Sequence, residues 1–475
     1  MATTAPVPGW LRVPADANAL APLVWPSSAV RDDAGRIVIA GRDAESLAAE
    51  FGTPLYVVDE TDARARAARI RTAFEAAAAS AGTTVTIYYA GKAFLSGAIV
   101  RWVTDEGLAV DVCTGGELAV ALAAGADPAR LGFHGNNKSL VEIDRAVVAG
   151  VGAIIIDSEI EIERVADAAA RAGRVQPVRL RVNSGVHAST HEFLATAHED
   201  QKFGVSLERA VELGTRIRSH PSLDFLGLHC HIGSQIFDSA GFAESAERLL
   251  AAHAELARIA PVPELNLGGG FGIAYTSADE PAPIEEIALG IANAVADGCR
   301  AAGVPVPKLA FEPGRSIIGP AGITLYSVGT VKPVPIDGGT RHYVSVDGGM
   351  SDNARTALYG ADYSARIASR TSAAEPALAR VAGKHCESGD IIVDAEYLPA
   401  DVAPGDLLAV AATGAYCWSL ASNYNHVPRP PVIAVRDGVA RVIVRGETEA
   451  DLLARDAGLA ASGHEGQARS EGNPA

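Results

Sequence analysis

The chain has 475 residues, about three times the length of a usual domain, so it has room for a large barrel and a second domain. Hydrophobic residues make up 48% and charged residues 20% of the sequence, which excludes disorder for most of its length. The 57 acidic residues exceed the 40 lysines and arginines and give a net charge of −17. This charge repels nucleic acid and anionic membranes, so neither is expected as a partner.

The cysteines and the N-terminus predict the compartment. The five cysteines are scattered and contain no C-x-x-C pair, so neither a disulfide framework nor a zinc ribbon is expected. The opening residues MATTAPVPGWL lack the basic and apolar regions of a secretory signal, and no apolar run is long enough to span a bilayer. We therefore expect a cytoplasmic protein.

The first 314 residues predict a short strand and then a repeated βα pattern. GRIVIAG at 35–41 is a strand that we expect to join the sheet of a later β domain. From 84 to 314, β-branched runs alternate with alanine-rich stretches of helical periodicity. Eight such units match a closed (β/α)₈ barrel, although an open doubly wound sheet has the same pattern. The strand candidates are 84–92, 108–113, 131–135, 153–157, 177–183, 223–233, 264–270 and 308–314.

The C-terminal part has a different pattern. Residues 321–447 contain strands without intervening helices, separated by Gly, Pro and Asp, which is typical of antiparallel β structure. The last residues are small, polar and aperiodic, and we expect them to be flexible. The predicted organisation is an N-terminal segment that contributes to the β domain (1–55), a barrel (56–320), a C-terminal β domain (321–450) and a tail (451–475).

Polar or glycine-rich residues follow the carboxyl ends of successive barrel strands, which is the catalytic face of this architecture. They are Lys92, Asp111, Asn136, Asn137, Arg181, His231, Gly268, Gly269, Gly270 and Glu312. The lysine in YYAGKAF is placed either for Schiff-base chemistry or merely to reach solvent. The three glycines allow backbone N–H groups to approach an anion, although turn formation is their commonest use. They do not form a dinucleotide fingerprint, because position 273 is isoleucine.

The histidines do not predict a metal site. His229 and His231 share one face of a strand, but two imidazoles without a third nearby ligand make a weak metal centre, and we expect none. His187, His191 and His198 lack the H-E-x-x-H pattern. Their loop, 184–204, is long for a βα connection and lies on the catalytic side, where lids are commonly found.

Eight motifs occur in a characteristic order: YYAGKAF, FHGNNKS, HCHIGSQIF, LNLGGGFGI, FEPGRSI, MSDNARTALYG, KHCESGDII and GAYCWSLASNYN. In this order they resemble the diaminopimelate decarboxylase family of pyridoxal-phosphate enzymes, over residues 50–450. The resemblance implies an α/β fold of the alanine-racemase-like class, fold type III. Such a fold has a (β/α)₈ TIM-type barrel and a second, mainly antiparallel β domain.

The resemblance also implies a role for each residue that matches a family motif. Lys92 holds pyridoxal 5′-phosphate as a Schiff base, and His231 stacks on its pyridine face. Glu312 pairs with the ring nitrogen and keeps it protonated, so that the ring accepts electrons from the breaking bond. The remaining implied cofactor contacts are Asp111, Arg181 and Arg315 and, on the phosphate side, Ser234, Gly270, Gly314 and Tyr416.

Substrate contacts and a proton donor follow from the same resemblance. Cys386 is the implied proton donor, so the catalytic set is Lys92, Cys386 and His231. Cys386 and Glu387 are supplied across the interface of a homodimer, so that each active site is shared. The implied substrate contacts are Arg315, Arg355, Tyr359, Glu387 and Tyr416.

The implied reaction is decarboxylation of meso-2,6-diaminopimelate to L-lysine, the last step of lysine biosynthesis. A sibling decarboxylase of ornithine, arginine or a carboxylated polyamine would share Lys92, His231 and Glu312. Arg355 favours the first reading, because it suits a distal carboxylate and repels a distal cation. A racemase is disfavoured by a glutamate at the ring nitrogen. A non-catalytic regulator with the same fold is the remaining alternative, against which the intact Lys92 and Cys386 argue.

Overall fold

The structure is a computed structural model that describes residues 7–186 and 202–462. A small antiparallel sheet comes first, formed by β1 (Val30–Arg31), β2 (Ile37–Ile39) and β3 (Arg42–Asp43), and α1 (Ala44–Phe51) follows. The strand predicted at 35–41 is present, but the expectation that it joins the larger β sheet is wrong. Its residues pair with their own sequence neighbours. The side chains of β2 pack against the later domain. The backbone N–H of Ile37 also donates to the carbonyl oxygen of Ala368 at 2.8 Å, so the small sheet is attached to that domain.

All eight strands predicted for the barrel are present, in a closed parallel ring. In ring order each strand pairs with the next, and the last strand (Lys308–Phe311) pairs with the first (Val85–Ala90). The closed barrel is therefore confirmed and the open sheet is excluded. From β4 onward the elements are β4 (Leu55–Asp59), α2 (Glu60–Ser80), β5 (Val85–Ala90), α3 (Gly97–Asp105), β6 (Ala109–Val112), α4 (Gly115–Ala123), β7 (Leu131–Phe133), α5 (Leu140–Ala149), β8 (Ala153–Ile156), α6 (Glu159–Arg171), β9 (Gln176–Asn183), β10 (Val205–Ser206), α7 (Ala210–Ser219), β11 (Leu223–His229), α8 (Ala240–Ile259), β12 (Glu264–Asn266), α9 (Ile284–Ala302), β13 (Lys308–Phe311) and α10 (Arg315–Ile318). The short β10 lies outside the ring and, within the described part of the chain, pairs with β9 alone.

Capping residues start the barrel helices shortly after the strands end. The side chains of Ser96, Thr114 and Ser139 accept backbone N–H groups in the first turns of α3, α4 and α5. Ser139 and Glu142 form a reciprocal capping box. The connections that follow β5, β6 and β7 therefore have defined conformations, and they hold the residues after these strands on one face of the barrel.

The second domain is a mainly antiparallel sheet, as predicted. Its sheet order is β18-β17-β15-β14-β4-β20-β21, with β19 paired to β14 and β16. β4, which spans the predicted domain boundary at 55/56, belongs to this sheet and pairs with β14 and β20. The elements are β14 (Gly322–Ile336), β15 (Gly339–Val346), α11 (Arg355–Tyr359), β16 (Ala365–Ile367), β17 (Pro376–Ala382), β18 (Ile391–Pro399), β19 (Leu407–Val410), β20 (Val432–Arg436), β21 (Val439–Val444), α12 (Glu449–Leu453) and α13 (Ala457–Ser462).

Two predicted segments lie wholly or partly outside the described residues. The expected lid, 184–204, is described only at its two ends, and its three histidines fall outside. The expected tail begins within α12 and continues through α13, and residues 463–475 fall outside. The domain limits themselves stay a prediction. Among the helices of the described ranges, none combines the length and the apolar character needed to cross a bilayer.

The β domain lies against the catalytic end of the barrel. The backbone N–H of Tyr416 and the hydroxyl of Ser419 both donate to the carbonyl oxygen of Ala93, at 2.7 and 2.9 Å. The rings of Phe94 and Trp418 pack beside this contact, with centroids 5.3 Å apart. Residues of the second domain therefore lie next to the turn that carries Lys92.

Candidate active site

A cavity of about 400 Å³ opens at the carboxyl ends of the barrel strands. Five predicted site residues line it: Lys92, Asp111, Arg181, His231 and Glu312. Each comes from a different strand or the turn after it, so the parallel barrel brings together residues that are up to 220 positions apart. The structure therefore places these side chains where the sequence predicted that they would meet.

Lys92 lies in a single 3₁₀ turn, Gly91–Ala93, directly after β5. The Lys92 side chain is exposed, while its neighbours Gly91 and Ala93 are buried. A Cβ atom at Gly314 would lie 2.9 Å from the carbonyl oxygen of Ala90 and 3.0 Å from the Ala93 side chain. Only glycine therefore allows the E-P-G-R turn to pack against the lysine turn, and this contact fixes the position of Lys92.

The carboxylate of Glu312 is hydrogen-bonded by Asn266 and His229, and a third side chain, His134, lies close to it. The Asn266 amide donates to Glu312 Oε1 at 2.7 Å, and His229 Nε2 lies 3.1 Å from the same oxygen. Because Asn266 Oδ1 accepts the Gly268 N–H at 2.8 Å, the Asn266 NH₂ group must face the glutamate. His134 Nε2 lies 3.4 Å away. Burial opposes ionisation of Glu312, but its interactions with His229 and His134, including the hydrogen bond that His229 donates, outweigh burial and hold its pKa well below the usual range.

Asp111 is a second buried carboxyl group in the same cavity. Its Oδ1 lies 3.2 Å from His134 Nε2, and its Oδ2 has no hydrogen-bond partner among the described residues. Burial and the charge of Glu312 raise the pKa of Asp111 well above its usual range. An oxygen of each carboxyl group lies within 3.4 Å of His134 Nε2, so ionisation of one opposes ionisation of the other in this buried site. Glu312 therefore carries the negative charge, and Asp111 is the neutral acid.

The histidines of the cavity are neutral. Burial lowers the pKa of His134 and of His229 to about 4, and it lowers the pKa of His231 well below the usual range. The Gly269 N–H donates to His231 Nδ1 at 3.3 Å, which places the His231 proton on Nε2. The nitrogens of His134 and His229 and a Glu312 oxygen lie within 4.8 Å of one another, a spacing also found in metal sites. Here the Asn266 amide already binds that carboxylate.

Two arginines form a second group at the edge of the β domain. Arg315 donates to Ser234 Oγ at 2.9 Å, and its guanidinium lies 4.6 Å from the Tyr416 ring centroid. The Arg355 guanidinium lies 4.7 Å from the Tyr275 ring and is bonded to the Tyr363 hydroxyl. Within the described residues, neither arginine has a carboxylate within 4 Å. Both cations are therefore available to anionic groups of a ligand.

Two of the predicted phosphate contacts, Gly270 and Ser234, lie on turns that pack together. Gly270 has a φ of +113°, and a Cβ atom there would lie 2.5 Å from the Gly233 carbonyl oxygen. The Ile236 N–H donates to the Gly270 carbonyl at 3.0 Å, which joins the glycine turn to the H-I-G-S turn that carries Ser234. Tyr416 has a φ of +66°, uncommon for a residue with a Cβ atom, and its bond to Ala93 holds it there. Their contact with phosphate stays a prediction.

Among the predicted site residues that do not line this cavity, Tyr359, Cys386 and Glu387 are the three that are exposed at the surface. Tyr359 ends α11 with 63% of its surface exposed. Cys386 is exposed, and its backbone N–H donates to Asn425 Oδ1 at 3.3 Å. Glu387 is bound within its own loop by the Gly389 N–H and the Ser388 hydroxyl, which lower its pKa. Neither Cys386 nor Glu387 is among the residues that line the Lys92 cavity of the same chain.

Sequence reasoning missed four residues of the site. Asn266 and His134 bind or approach Glu312, while Tyr275 and Tyr363 contact the arginines. Asn266 and His134 each stand at the carboxyl end of a barrel strand, and that position was a signal available in the sequence. The two tyrosines had no such signal, because their contacts join distant parts of the chain.

Comparison with known proteins assigns the family. Residues 67–319 match the model for the pyridoxal-dependent decarboxylase, pyridoxal binding domain. The diaminopimelate decarboxylase of Mycobacterium tuberculosis is 52% identical over 443 residues, covering 91% of this chain and 98% of the relative. The Bacillus subtilis enzyme of that name is 44% identical and covers 89% and 95%. The chain belongs to the diaminopimelate decarboxylases. A solved family member from M. jannaschii, in complex with L-lysine, has a TM-score of 0.84 at 32% identity and covers 91% and 98%.

The residues present fit pyridoxal phosphate, the cofactor of this decarboxylase family. The cavity offers an amine on Lys92, a buried ionised carboxylate on Glu312 and a neutral imidazole on His231. Asp111 Oδ2 is a buried polar atom at the cavity wall with no partner among the described residues. At the glycine turns 268–270 and 312–314 a Cβ atom would lie 2.1 to 2.9 Å from a backbone oxygen, so glycine allows these turns to pack closely beside the cavity. The donor set thus combines a nucleophilic amine with an anion suited to a pyridinium nitrogen.

Replacement of Gly270 by alanine tests the predicted phosphate turn. The added Cβ atom meets the Gly233 carbonyl, so the turn must shift, and we expect the affinity for pyridoxal phosphate to fall by on the order of 10²-fold. The measurement is the dissociation constant from titration of the apoprotein, followed by absorbance.

Gly303→Ala is the matched control, because Gly303 also has a positive φ of +68° but no atom within 4 Å of the added Cβ. It keeps the cofactor affinity, although backbone strain lowers its stability. Equal affinities for Gly270→Ala and the unsubstituted protein contradict the phosphate role.

Proposed function

We propose that the protein decarboxylates meso-2,6-diaminopimelate to L-lysine and CO₂ with pyridoxal 5′-phosphate, the last step of lysine biosynthesis. The observation that carries the proposal is that Lys92 and an ionised Glu312 line the same cavity. This cavity lies in a chain 52% identical to a diaminopimelate decarboxylase over nearly its whole length. The ornithine, arginine and carboxypolyamine alternatives are not favoured, because relatives at 44 to 52% identity carry the diaminopimelate name.

The residues around the cavity divide the work of decarboxylation. Pyridoxal phosphate, when bound, supplies the electron sink for the carbanion that loss of CO₂ leaves at Cα. Lys92 is the point of attachment, and the turn that carries it is fixed by Gly314. Glu312, held ionised by its neighbours, would keep a proton on the ring nitrogen of the bound cofactor. His231, a neutral imidazole, would hold the cofactor ring.

The two arginines provide for the carboxylates of the substrate. Arg355 is buried, fixed by the Tyr363 hydroxyl and free of any carboxylate among the described residues. Its planar guanidinium binds a distal carboxylate through two parallel hydrogen bonds. The same charge repels the distal ammonium of ornithine, which gives the site its preference. Arg315, Tyr359 and Tyr416 are the further substrate contacts, and Glu387 binds the distal ammonium group.

We propose a homodimer whose active sites are shared. Cys386 and Glu387 lie on an exposed loop outside their own chain's cavity, and Tyr359 and Tyr424 are exposed at 63% and 41%. In a two-fold dimer this surface faces the partner's cavity, where the Cys386 thiol delivers a proton to Cα. Cys113 also lines the cavity, but burial raises its pKa to about 12, too high for an efficient acid.

We assign the protein to the cytoplasm. All five cysteines are free thiols in the structure, and three of them are buried. Thiols without disulfide partners are typical of a reducing compartment.

The test of the reaction is a parallel assay with meso-diaminopimelate, ornithine and arginine. We expect lysine and CO₂ in equal amounts from the first substrate and no amine from the other two. Release of putrescine or agmatine at comparable rates contradicts the proposed specificity, and absence of CO₂ from every substrate supports a non-catalytic protein.

Arg355→Lys tests how the distal carboxylate is bound. Lysine keeps the charge but loses the planar pair of donors, so we expect KM for meso-diaminopimelate to rise by roughly 10- to 10²-fold with a smaller effect on kcat. The measurement is steady-state kinetics of CO₂ release. Arg300→Lys is the control, since Arg300 is a surface residue paired with Asp297. An unchanged KM places Arg355 outside the pocket.

Mixing of two inactive variants tests the shared site. Lys92→Ala and Cys386→Ala should each be strongly impaired, the second by on the order of 10²-fold. After dissociation and random reassociation, roughly half of the dimers are hybrids with one complete site of two, so about a quarter of full activity returns. The hybrid fraction is measured by mass spectrometry. If hybrids form without activity, Cys386 does not act across the interface.

A further inference from the structure

Three segments of the β domain, two of which carry predicted site residues, meet at one polar cluster in which Ser351, His385 and Asp390 are buried and Asn425 is exposed. They are the arginine segment (349–355), the cysteine loop (383–390) and the stretch 422–425. The cluster consists of Ser351, His385, Asp390 and Asn425, one or two from each segment. None of these four side chains lines the Lys92 cavity. Their hydrogen bonds are therefore not explained by contact with the cofactor in the same chain.

His385 is the residue that bonds to both neighbouring segments. It is buried, with 8% of its surface exposed. Its Nε2 lies 2.8 Å from Ser351 Oγ, and its Nδ1 lies 3.3 Å from Asn425 Oδ1. The same Asn425 oxygen accepts the backbone N–H of Cys386 at 3.3 Å. Asn425 Oδ1 is thus an acceptor, so Nδ1 of a neutral His385 carries the proton and Nε2 accepts from the Ser351 hydroxyl.

Asp390 closes the cysteine loop from the other side. Its carboxylate accepts the N–H of His385 at 2.7 Å and the N–H of Met350 at 2.6 Å. It is 3% exposed, and a Cβ atom at Gly349 or Gly383 would meet its oxygens at 2.6 or 2.2 Å. Two glycines therefore make room for this carboxylate. The loop backbone is fixed immediately before Cys386, while the Cys386 side chain stays exposed.

Asn425 has a backbone suited to its place in the cluster. Its φ is +52°, in the left-handed region that asparagine enters more readily than most residues. The adjacent Tyr424 ring stacks on His385, with centroids 5.4 Å apart and planes inclined by 29°. The Tyr424 ring packs against one face of the His385 imidazole, and hydrogen bonds hold both of its nitrogen atoms.

We propose that His385 is a positioning residue for the partner's active site: it fixes the cysteine loop so that Cys386 and Glu387 reach the reacting Cα and the distal ammonium there. The inference rests on the proposed shared site. A thiol displaced by about 1 Å transfers a proton far more slowly, because proton transfer requires a defined geometry. His385 acts on the proton-transfer step in the partner's cavity and not on binding of the cofactor in its own.

Hybrid dimers separate this role from a general effect on folding. The chain that carries Lys92→Ala supplies the cysteine loop of the one complete site, and we call it the loop chain. The chain that carries Cys386→Ala supplies Lys92 and is the lysine chain. His385→Ala is added to one chain or the other. The kcat and KM of each resulting hybrid are compared with those of the reference hybrid, in which both chains keep His385.

On the loop chain, His385→Ala should lower kcat by on the order of 10-fold or more with KM changed much less. On the lysine chain, the same substitution should change kcat by less than about 3-fold, since its cysteine loop faces the incomplete site. His385→Asn on the loop chain keeps a side-chain N–H at the position of Nδ1 and should recover most of the rate. Cofactor content and dimer mass should be equal in all hybrids.

Equal losses from both placements contradict the proposal, because they show an effect on the fold of whichever chain is altered. Full activity with His385→Ala on the loop chain also contradicts it. If the hybrid that keeps His385 in both chains is detected by mass spectrometry but is inactive, the result instead contradicts the shared site on which the inference rests. The two failures are therefore distinguished within one experiment.

Discussion

The active site depends on one buried negative charge. Glu312 is held at the end of the barrel by the Asn266 amide and by neutral histidines, with few water molecules able to reach it. A carboxylate in such a place stays ionised only if its neighbours donate to it and no second charge competes. Asp111 lies beside His134, which also approaches Glu312, and it keeps its proton. No second negative charge therefore competes with that of Glu312. A single negative charge is thus available at this end of the cavity to a cationic group of a ligand.

The same constraint explains the conformations of the neighbouring turns. Asn266 donates to Glu312 and accepts from Gly268, so one side chain joins the carboxylate to the glycine turn predicted to hold phosphate. The Glu312 N–H in turn donates to the Gly268 carbonyl at 2.9 Å. The two ends of the cofactor site are therefore not positioned independently. The glycine turn and the Glu312 carboxylate are connected by these hydrogen bonds, so we expect a displacement of either one to displace the other.

Much of this arrangement was predictable from the sequence, and the errors have identifiable causes. Strand periodicity located all eight barrel strands, and the ends of those strands located Lys92, Asp111 and Glu312. Closure was not decided by periodicity, because it depends on pairing of β13 with β5, more than 200 residues apart. The 35–41 strand was assigned to the wrong sheet because local pattern does not reveal its partner. Asn266 and Tyr275 were missed since their roles arise only from contacts across strands and domains.

The central claim is that the ionised Glu312 drives the chemistry and does not merely stabilise the fold. The most direct measurement is kcat for CO₂ release from meso-diaminopimelate by Glu312→Gln, with cofactor content determined on the same sample. The amide fills the same space without the charge, so the account predicts a full complement of cofactor and a loss in kcat of on the order of 10²-fold or more. Glu285→Gln, at an exposed pair with Arg69, is the control for loss of a carboxylate elsewhere. A Glu312→Gln protein that retains both cofactor and a rate near that of the unsubstituted enzyme contradicts the account.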